Sequence, residues 1–380
     1  MNKTIVYIGG ELPDKEASAL RIMANAKALR DFGFNICLIG QRDGLSVNEI
    51  INENYEGMKA FLFSIPKSIR MWIKELVSIR DFTKIINEEQ NVCAVIMYNP
   101  HSIVFERMKT FCKVRGIKLI ADCTEWHTVY HLSGVKKYIK LFDITRRINV
   151  SQKKADGIIA ISSYFQKFYS GYCKTLVVPP LVDLSEEKWN IQSVAQDNVT
   201  RFVYAGRMGI GKDSLNSCIH AFEMALNHGC RLDIVGVSYN EYIKQFPEDL
   251  GLLKKLSSNI VFHGLLPHNE ALEYVKQATF SLLARENNRK NDSGFPTKFV
   301  ESISCGTPVI ASNFSDIEGY VVDNNLGIMV SSVDKITEGI QVAINMDSFQ
   351  LSRLKKNCRL FKGFDYHFYI DKLGSFIESL

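Results

Sequence analysis

The stretch Arg201-Phe-Val-Tyr-Ala-Gly-Arg-Met-Gly-Ile-Gly-Lys-Asp-Ser214 decides the fold. Residues 201–205 are rich in β-forming side chains and predict a buried strand, and residues 214–227 predict a helix. Glycines at 206, 209 and 211 lie between them, where the backbone must turn tightly and where it can approach a ligand closely. Strand, glycine-rich turn and helix in this order are typical of a Rossmann-like α/β unit.

The same alternation of short apolar runs and helical patterns continues along the whole chain. We predict strands at 3–8, 35–39, 60–64, 93–98, 118–122, 157–162, 201–205, 231–235, 260–263, 279–284 and 308–311. Helical patterns between them imply parallel, doubly wound sheets. The predicted fold is therefore α/β, with two Rossmann-like domains facing a cleft. We expect domains at 1–184 and 185–365, with a polar linker at 185–199 and a terminal helix, 366–380, packing back on the first domain.

Composition sets limits on the class of protein. The 380 residues are 46% hydrophobic and 23% charged, which fits a globular chain of two domains. The short apolar run at 3–8 predicts a first strand rather than a signal peptide, and no stretch has the length of a membrane span. Nine dispersed cysteines without a Cys-x-x-Cys pair favour free thiols in a reducing compartment and no metal site. We therefore expect a cytoplasmic protein.

The glycine-rich turn also carries charge. Arg207 and Lys212 lie in it, and the following helix presents free backbone amides at its start. This combination suits a diphosphate, although a turn with solvated charges has the same pattern. The P-loop pattern is absent, because no Ser or Thr follows Lys212 directly.

A second motif runs from Asn291 to Glu301. Gly294 and Pro296 predict a loop, and Thr297 is a candidate cap for the next helix. Lys298 falls in the first turn of that helix, and Glu301 falls one turn later on the same face. A carboxylate at this place can bind ribose hydroxyls, or it can form a surface pair with Lys298.

Together, these motifs resemble the retaining glycosyltransferases of the GT-B fold, family 4. Gly206-Arg207 and Lys212 match the first pattern of that family, and Glu301 with Gly306-Thr-Pro-Val-Ile310 matches the second. Ser293 stands where the family has the first of two glutamates, and Asp213 stands where it usually has glycine. The first domain matches only in outline.

The resemblance implies that a sugar moves from a UDP- or GDP-sugar to a hydroxyl of a glycan or lipid-linked acceptor, with retention of configuration. Arg207, Lys212 and Lys298 would neutralise the diphosphate, and Glu301 would bind the ribose. His127 is the candidate for contact with the donor sugar, although a loop histidine without a role remains open. The remaining implied residues are Ser293, Gly294, Phe295, Pro296 and Thr297 around the sugar, and Gly9, Gly10 and Glu125 in the first domain. No Asp-x-Asp pair occurs, so we expect neither a metal nor another cofactor.

Two stretches of the first half, 67–84 and 136–154, are rich in Lys and Arg. In the first stretch, Ile69, Trp72, Ile73, Leu76 and Ile79 fall at helical spacing, with cations on the opposite face. Such a helix can lie on an anionic bilayer, or it can simply cover the core. Neither stretch has a nucleic-acid-binding motif, so we expect no nucleic acid partner.

Three functions stay open from the sequence. The first is a glycosyltransferase of bacterial surface polysaccharide synthesis (capsule or O-antigen), peripheral on the inner face of the cell membrane. The second is a nucleotide-sugar 2-epimerase, which has the same domain plan. The third is a degenerate partner subunit of a glycosyltransferase complex, which the departure at Ser293 keeps open.

Overall fold

A computed structural model describes residues 2–13, 17–47, 49–129, 133–190, 199–208, 213–226 and 229–380. The chain divides into two compact units, Met1–Asp183 with Asp365–Leu380, and Leu184–Phe364. Within the described residues, no helix is both long and apolar enough to cross a membrane. The nine cysteines are all free, and seven of them are buried.

The described part of the first unit contains an eight-stranded sheet. Its strands are β1 (Thr4–Glu11), β2 (Asn35–Arg42), β3 (Ile50–Tyr55), β4 (Met58–Ser64), β5 (Val92–Tyr98), β6 (Lys118–Cys123), β7 (Gly157–Ala160) and β8 (Lys174–Val177). Their order is β3-β4-β2-β1-β5-β6-β7-β8, and all neighbours are parallel except β3 with β4. The sequence did not predict β3 or β8, which are the two edge strands.

Helices connect these strands. They are α1 (Ala17–Phe32), α2 (Ile69–Val77), α3 (Arg80–Glu88), α4 (Ser102–Val114), α5 (Gly134–Arg146) and α6 (Ser163–Tyr169). The single amphipathic helix expected at 67–84 is wrong, because Ser78 has extended backbone and ends α2 before α3 begins. Beyond α5 the chain continues as a π-helical turn, Arg147–Ser151.

The second unit has its own sheet, whose described strands are all parallel. They are β9 (Thr200–Ala205), β10 (Cys230–Val235), β11 (Ile260–Gly264), β12 (Phe280–Leu283), β13 (Val309–Ser312) and β14 (Gly327–Val330), in the order β11-β10-β9-β12-β13-β14. The helices are α7 (Leu215–Ala225), α8 (Tyr239–Gln245), α9 (Leu250–Lys255), α10 (His268–Gln277), α11 (Arg289–Ser293), α12 (Thr297–Ser304), α13 (Ile317–Asn324), α14 (Ile336–Ile344) and α15 (Ser348–Leu360).

The last helix, α16 (Ile370–Glu378), belongs to the first unit. Leu373, Phe376 and Ile377 of α16 are buried in the same apolar core as Ile22 and Leu29 of α1. The two helices approach so closely at Gly374 that a Cβ atom there would lie 2.1 Å from Cγ of Phe32. This contact closes the core of the first unit around α1.

A buried ion pair ties α1 to the end of β6. Arg21 donates from Nε and Nη2 to Asp122 Oδ1 at 2.9 and 2.7 Å, and its Nη1 donates to the carbonyl of Val178 at 2.7 Å. Tyr7 donates to Asp122 Oδ2 at 2.6 Å. Loss of one partner from such a buried pair typically costs about 3–5 kcal/mol, so these contacts fix the carboxyl end of the sheet.

Candidate active site

The strand order of the second sheet locates its candidate ligand site. From β9 the chain builds β10 and β11 on one side, and it then crosses to build β12, β13 and β14 on the other. The order therefore reverses between the neighbouring strands β9 and β12. In open α/β sheets, ligands bind beyond the carboxyl ends of the strands at this point. The residues that follow β9 and β12 are the first candidates for contact with a ligand.

Three adjacent strands on one side of that point, β9, β10 and β11, each have a glycine at the carboxyl end. The glycine is the last residue of β11, and it is the first residue after β9 and after β10. Gly206, Gly236 and Gly264 have φ angles of 143°, 95° and 67°. A Cβ atom on Gly236 would lie 2.8 Å from the carbonyl atoms of Gly206. The rim of the sheet is therefore bare backbone that a ligand can approach closely. The sequence pattern included Gly206.

Lys298 crosses Gly206. A Cβ atom on Gly206 would lie 1.9 Å from Lys298 Cε and 2.3 Å from its Nζ. The ammonium lies 4.3 Å from the centre of the Tyr204 ring and 3.2 Å from the Tyr204 hydroxyl. Only glycine leaves room at position 206 for this path, so the first and second sequence motifs meet directly at this place.

Beneath Lys298 lies an aspartate that binds two cations. Asp213 Oδ2 accepts from Lys298 Nζ at 2.5 Å, and Asp213 Oδ1 accepts from Arg285 Nε at 2.5 Å. The side chains of Asp213, Arg285 and Lys298 are 5%, 11% and 15% exposed. Arg285 follows β12 and pairs with Asp213 through an isolated antiparallel bridge as well.

The titration of this cluster follows from its charges. Burial alone would raise the pKa of Asp213, but the charges and hydrogen bonds of Lys298 and Arg285 lower it to about 2. Burial lowers the pKa of Lys298, and Arg285 lowers it further, while Asp213 opposes both effects. Burial raises the pKa of the Tyr204 hydroxyl, with the charge of Asp213 as the next cause. Asp213 is therefore an anion that supports the charge of its neighbours.

Glu301 does not pair with Lys298. Its Oε1 lies 3.1 Å from Nε2 of His268, the first residue of α10, and its side chain is 22% exposed. The alternative of a Lys298–Glu301 surface pair is therefore wrong. The expected contact of Glu301 with ribose stays a prediction, and His268 joins it as a neighbour that the sequence did not indicate.

The loop around Gly294 is fixed by short polar contacts. Ser293 is fully buried, and its hydroxyl donates to the carbonyl of Lys290 at 3.2 Å. Ser315 donates its hydroxyl to the Gly294 carbonyl and its amide to Asp292 Oδ1. Thr297 does not cap α12, because it is the first helical residue and Pro296 holds the cap position without a side-chain bond.

Phe295 is buried. Its ring lies 5.5 Å from that of Tyr320 and 6.0 Å from those of Phe299 and Phe364. The Phe295 side chain therefore anchors the loop.

Arg207 is exposed directly after Gly206. The other cation of the glycine-rich turn, Lys212, lies outside the described residues together with Gly209 and Gly211. The described basic groups at this edge of the sheet are Arg207, Arg285 and Lys298. Arg285 was not predicted, since no local pattern links it to the turn.

In the first unit, β1 and β5 are neighbours at the corresponding reversal of strand order. Gly9 and Gly10 lie at an irregularity within β1 rather than after it, because the strand extends to Glu11. A Cβ atom on Gly9 would lie 2.8 Å from Cβ of Tyr98, so the chain passes close to the end of β5. Glu125 and His127 are half-buried in the segment after β6.

A different histidine lies in a polar cluster at this edge. His101 Nδ1 is 2.8 Å from Asp143 Oδ2, and the amide of Ser102 donates to Asp143 Oδ1 at 2.7 Å. Burial opposes ionisation of Asp143, but these contacts bring its pKa to about 2. The sequence did not single out His101, because its partner lies 42 positions away.

Comparison with known proteins gives this geometry its context. Sucrose-phosphate synthase from Thermosynechococcus elongatus has the same overall fold, with a TM-score of 0.70 and 15% identity over 100% of this chain and 99% of that one. Anabaena HepE, solved in complex with UDP and glucose, gives a TM-score of 0.69 and 13% identity over 100% of both chains. The fold is GT-B.

Sequence comparison adds a similarity within the second unit. Residues 199–345 match the family described as glycosyl transferases group 1. The uncharacterized glycosyltransferase MJ1069 of Methanocaldococcus jannaschii is 23% identical over 203 residues, 50% of this chain and 49% of that protein. The chain thus spans about half the length of the curated relative it matches. The predicted α/β fold with two Rossmann-like domains is confirmed.

Proposed function

We propose that this protein is a glycosyltransferase that moves a sugar, with retention of configuration, from a UDP- or GDP-sugar to a hydroxyl of a glycan or lipid-linked acceptor. One observation carries the proposal. In the segment that matches the group 1 glycosyltransferases, Lys298, whose side chain passes over Gly206, and Arg285 both bind Asp213 at the point where the strand order reverses. Two adjacent cations at such a point suit a diphosphate.

The chemistry requires that the bond between the anomeric carbon and the donor phosphate breaks. Lys298, Arg207 and the predicted Lys212 would stabilise the charge that develops on the leaving diphosphate, which is commonly the largest catalytic contribution. The acceptor oxygen forms the new bond to the anomeric carbon, and its proton passes to the leaving phosphate. The products are the glycosylated acceptor and a nucleoside diphosphate.

Thermal unfolding in the presence of UDP, GDP, ADP and their sugar conjugates tests the proposal. A ligand of the folded state at one hundred times its Kd stabilises by about 2.7 kcal/mol, so one nucleotide class should raise Tm by several degrees. Lys298→Met should abolish the rise, whereas Lys255→Met, at a 70% exposed side chain of the same unit, should keep it. No rise with any nucleotide would favour the partner-subunit hypothesis. Turnover of free UDP-sugar without an acceptor would favour the epimerase.

We further propose that the acceptor is presented at an anionic membrane surface, as in synthesis of a capsule or O-antigen. In support, Val135, Tyr138, Ile139 and Phe142 form one exposed apolar stripe along α5, each 38% to 73% exposed. Lysines at 136, 137 and 140 lie between them. On α2, Ile69 and Ile73 are exposed. Burial lowers the pKa of Lys140, and the charge of Glu75 on α2 opposes this effect. An apolar stripe among lysines suits anionic lipid.

Sedimentation with vesicles tests this surface. The protein should pellet with vesicles containing phosphatidylglycerol and stay in solution with pure phosphatidylcholine. The double substitution Tyr138→Ser and Phe142→Ser should reduce binding by about thirtyfold, since each substitution removes roughly 1 kcal/mol of apolar burial. Phe349→Ser, at a 76% exposed phenylalanine of the second unit, is the matched control. Equal binding by all three proteins would refute the proposal.

A further inference from the structure

In the glycine-rich motif, Asp213 departs from the pattern of the resembling family, and the proposed function does not explain this residue. It stands where the resembling family usually has glycine, yet its side chain is only 5% exposed. Two cations from different parts of the second unit bind its two oxygens, Lys298 from α12 and Arg285 from the segment after β12. A carboxylate so placed determines where both cations lie.

We propose that Asp213 is a positioning residue for the donor diphosphate: it fixes the Lys298 ammonium and the Arg285 guanidinium side by side at the carboxyl ends of β9 and β12. The proposal rests on the proposed function, because it assigns these two cations to the donor. Asp213 touches neither donor nor acceptor in this scheme. It acts through the groups that do.

The path of Lys298 supports this role. Its side chain crosses Gly206 at a distance that only glycine permits, and its ammonium ends between Asp213 and the Tyr204 hydroxyl. An ammonium has three donors, and these two contacts leave a third for an anionic ligand. Arg285 contacts Asp213 through Nε, and a guanidinium has further donors on its Nη atoms.

Charge gives the second part of the role. Several titratable or charged groups face Lys298. They are Asp213 before α7, Arg285 after β12, Tyr204 on β9, Cys218 on α7, and Glu301 on the same helix as Lys298. Burial and Arg285 both lower the pKa of Lys298, and the negative charge of Asp213 opposes them. Without that charge, Lys298 would lose its proton at a lower pH, and its affinity for a diphosphate would fall as the pH rises.

The test measures UDP and inorganic pyrophosphate binding by calorimetry between pH 6 and pH 9. Wild type should bind with an affinity that changes little over this range. Asp213→Asn should bind about tenfold more weakly at pH 8 and recover towards pH 6, where Lys298 regains its proton. Asp213→Glu keeps the charge but displaces it, so its affinity should be intermediate with a flat pH profile.

Asp233→Asn is the matched control. Asp233 is a buried aspartate of β10 that contacts Arg231 at 2.8 Å and His263 at 2.7 Å, so its loss disturbs a similar pair elsewhere in the unit. This variant should bind UDP like wild type. If Asp213→Asn does not fold, Asp213→Glu decides the matter, because an unchanged affinity would contradict a positioning role.

The outcomes separate the two proposals. Failure of the wild type to bind any nucleoside diphosphate or pyrophosphate would refute the proposed function and this inference with it. Binding by the wild type together with equal binding by Asp213→Asn, or an unchanged affinity in Asp213→Glu, would overturn the inference alone. Competitive acetylation of Lys298, quantified by mass spectrometry across pH, follows its protonation without any nucleotide and should show a lower pKa in Asp213→Asn.

Discussion

At the scale of single residues, Gly206 has two separate reasons to be glycine. Its φ of 143° is a conformation that other residues rarely adopt, and Lys298 occupies the space where a side chain would begin. The first reason concerns the turn after β9, and the second concerns the route by which Lys298 reaches Asp213. Substitution at this position therefore changes the charged cluster as well as the backbone.

Gly206→Ala should displace Lys298 from Asp213. We expect nucleotide binding to weaken by more than tenfold, and the free energy of unfolding to fall by about 1–3 kcal/mol from strain at a positive φ. Calorimetry with UDP and urea unfolding measure the two effects. Gly251→Ala, with open space around its Cα, is the control and should leave binding unchanged. Normal UDP affinity in Gly206→Ala would show that the path of Lys298 does not matter for binding.

At the scale of elements, the local sequence pattern predicts the strands and helices better than it predicts which distant residues come into contact. The buried strands β1, β2, β5, β6 and β9 carry continuous apolar runs, so the sequence indicates them well. β3 has the sequence Ile-Ile-Asn-Glu-Asn-Tyr, which contains too little apolar character to predict an edge strand. α5 exposes its apolar stripe and buries Asp143, which reverses the usual pattern of a helix on a sheet.

For a related reason, the charged contacts of the candidate site could not be predicted from the sequence. The glycine-rich turn is recognisable as one motif, and the segment with Lys298 and Glu301 is recognisable as another, because the residues of each motif are close together in the chain. The partners are not: Asp213 and Lys298 are 85 positions apart, and Asp213 and Arg285 are 72 apart. Only the order of strands, with β9 beside β12, brings these residues together.

The contact between α1 and α16 makes a prediction at this scale. Gly374→Ala places a methyl group against the Phe32 ring, so we expect a loss of about 1–3 kcal/mol in the free energy of unfolding of the first unit. Adding Phe32→Ala removes the clash, and the double variant should lose less than the sum of the two single changes. Urea unfolding of all four proteins measures the coupling. Additive losses would mean that the two residues do not pack as described.

At the scale of the whole molecule, each unit has its own buried aspartate with a strongly lowered pKa. Asp143 of the first unit and Asp213 of the second both have a pKa near 2, although burial alone would raise it. A carboxyl whose pKa is lowered by folding stabilises the folded state above its unfolded pKa, near 3.9. That contribution disappears as the pH falls through the folded pKa, so both units should become less stable between about pH 4 and pH 2.

Each aspartate should account for roughly 2 kcal/mol of this acid dependence. Asp213→Asn should be less stable than wild type at pH 7, and its free energy of unfolding should change less between about pH 4 and pH 2. Asp143→Asn should have the same effect on the first unit. Urea unfolding at a series of pH values, with Glu338→Gln at an exposed carboxylate as control, measures the slopes. Equal slopes in wild type and both variants would contradict the assignment.

The return of α16 to the first unit has a consequence for how the protein is made. Most of the first unit is translated before the second, but Leu373, Phe376 and Ile377, which complete its core, are translated only after all of the second unit. While the second unit is being translated, the first therefore still exposes the apolar face of α1 that α16 will cover. The half that is translated first is the half that completes its folding last, and chaperones would meet that uncovered face throughout elongation.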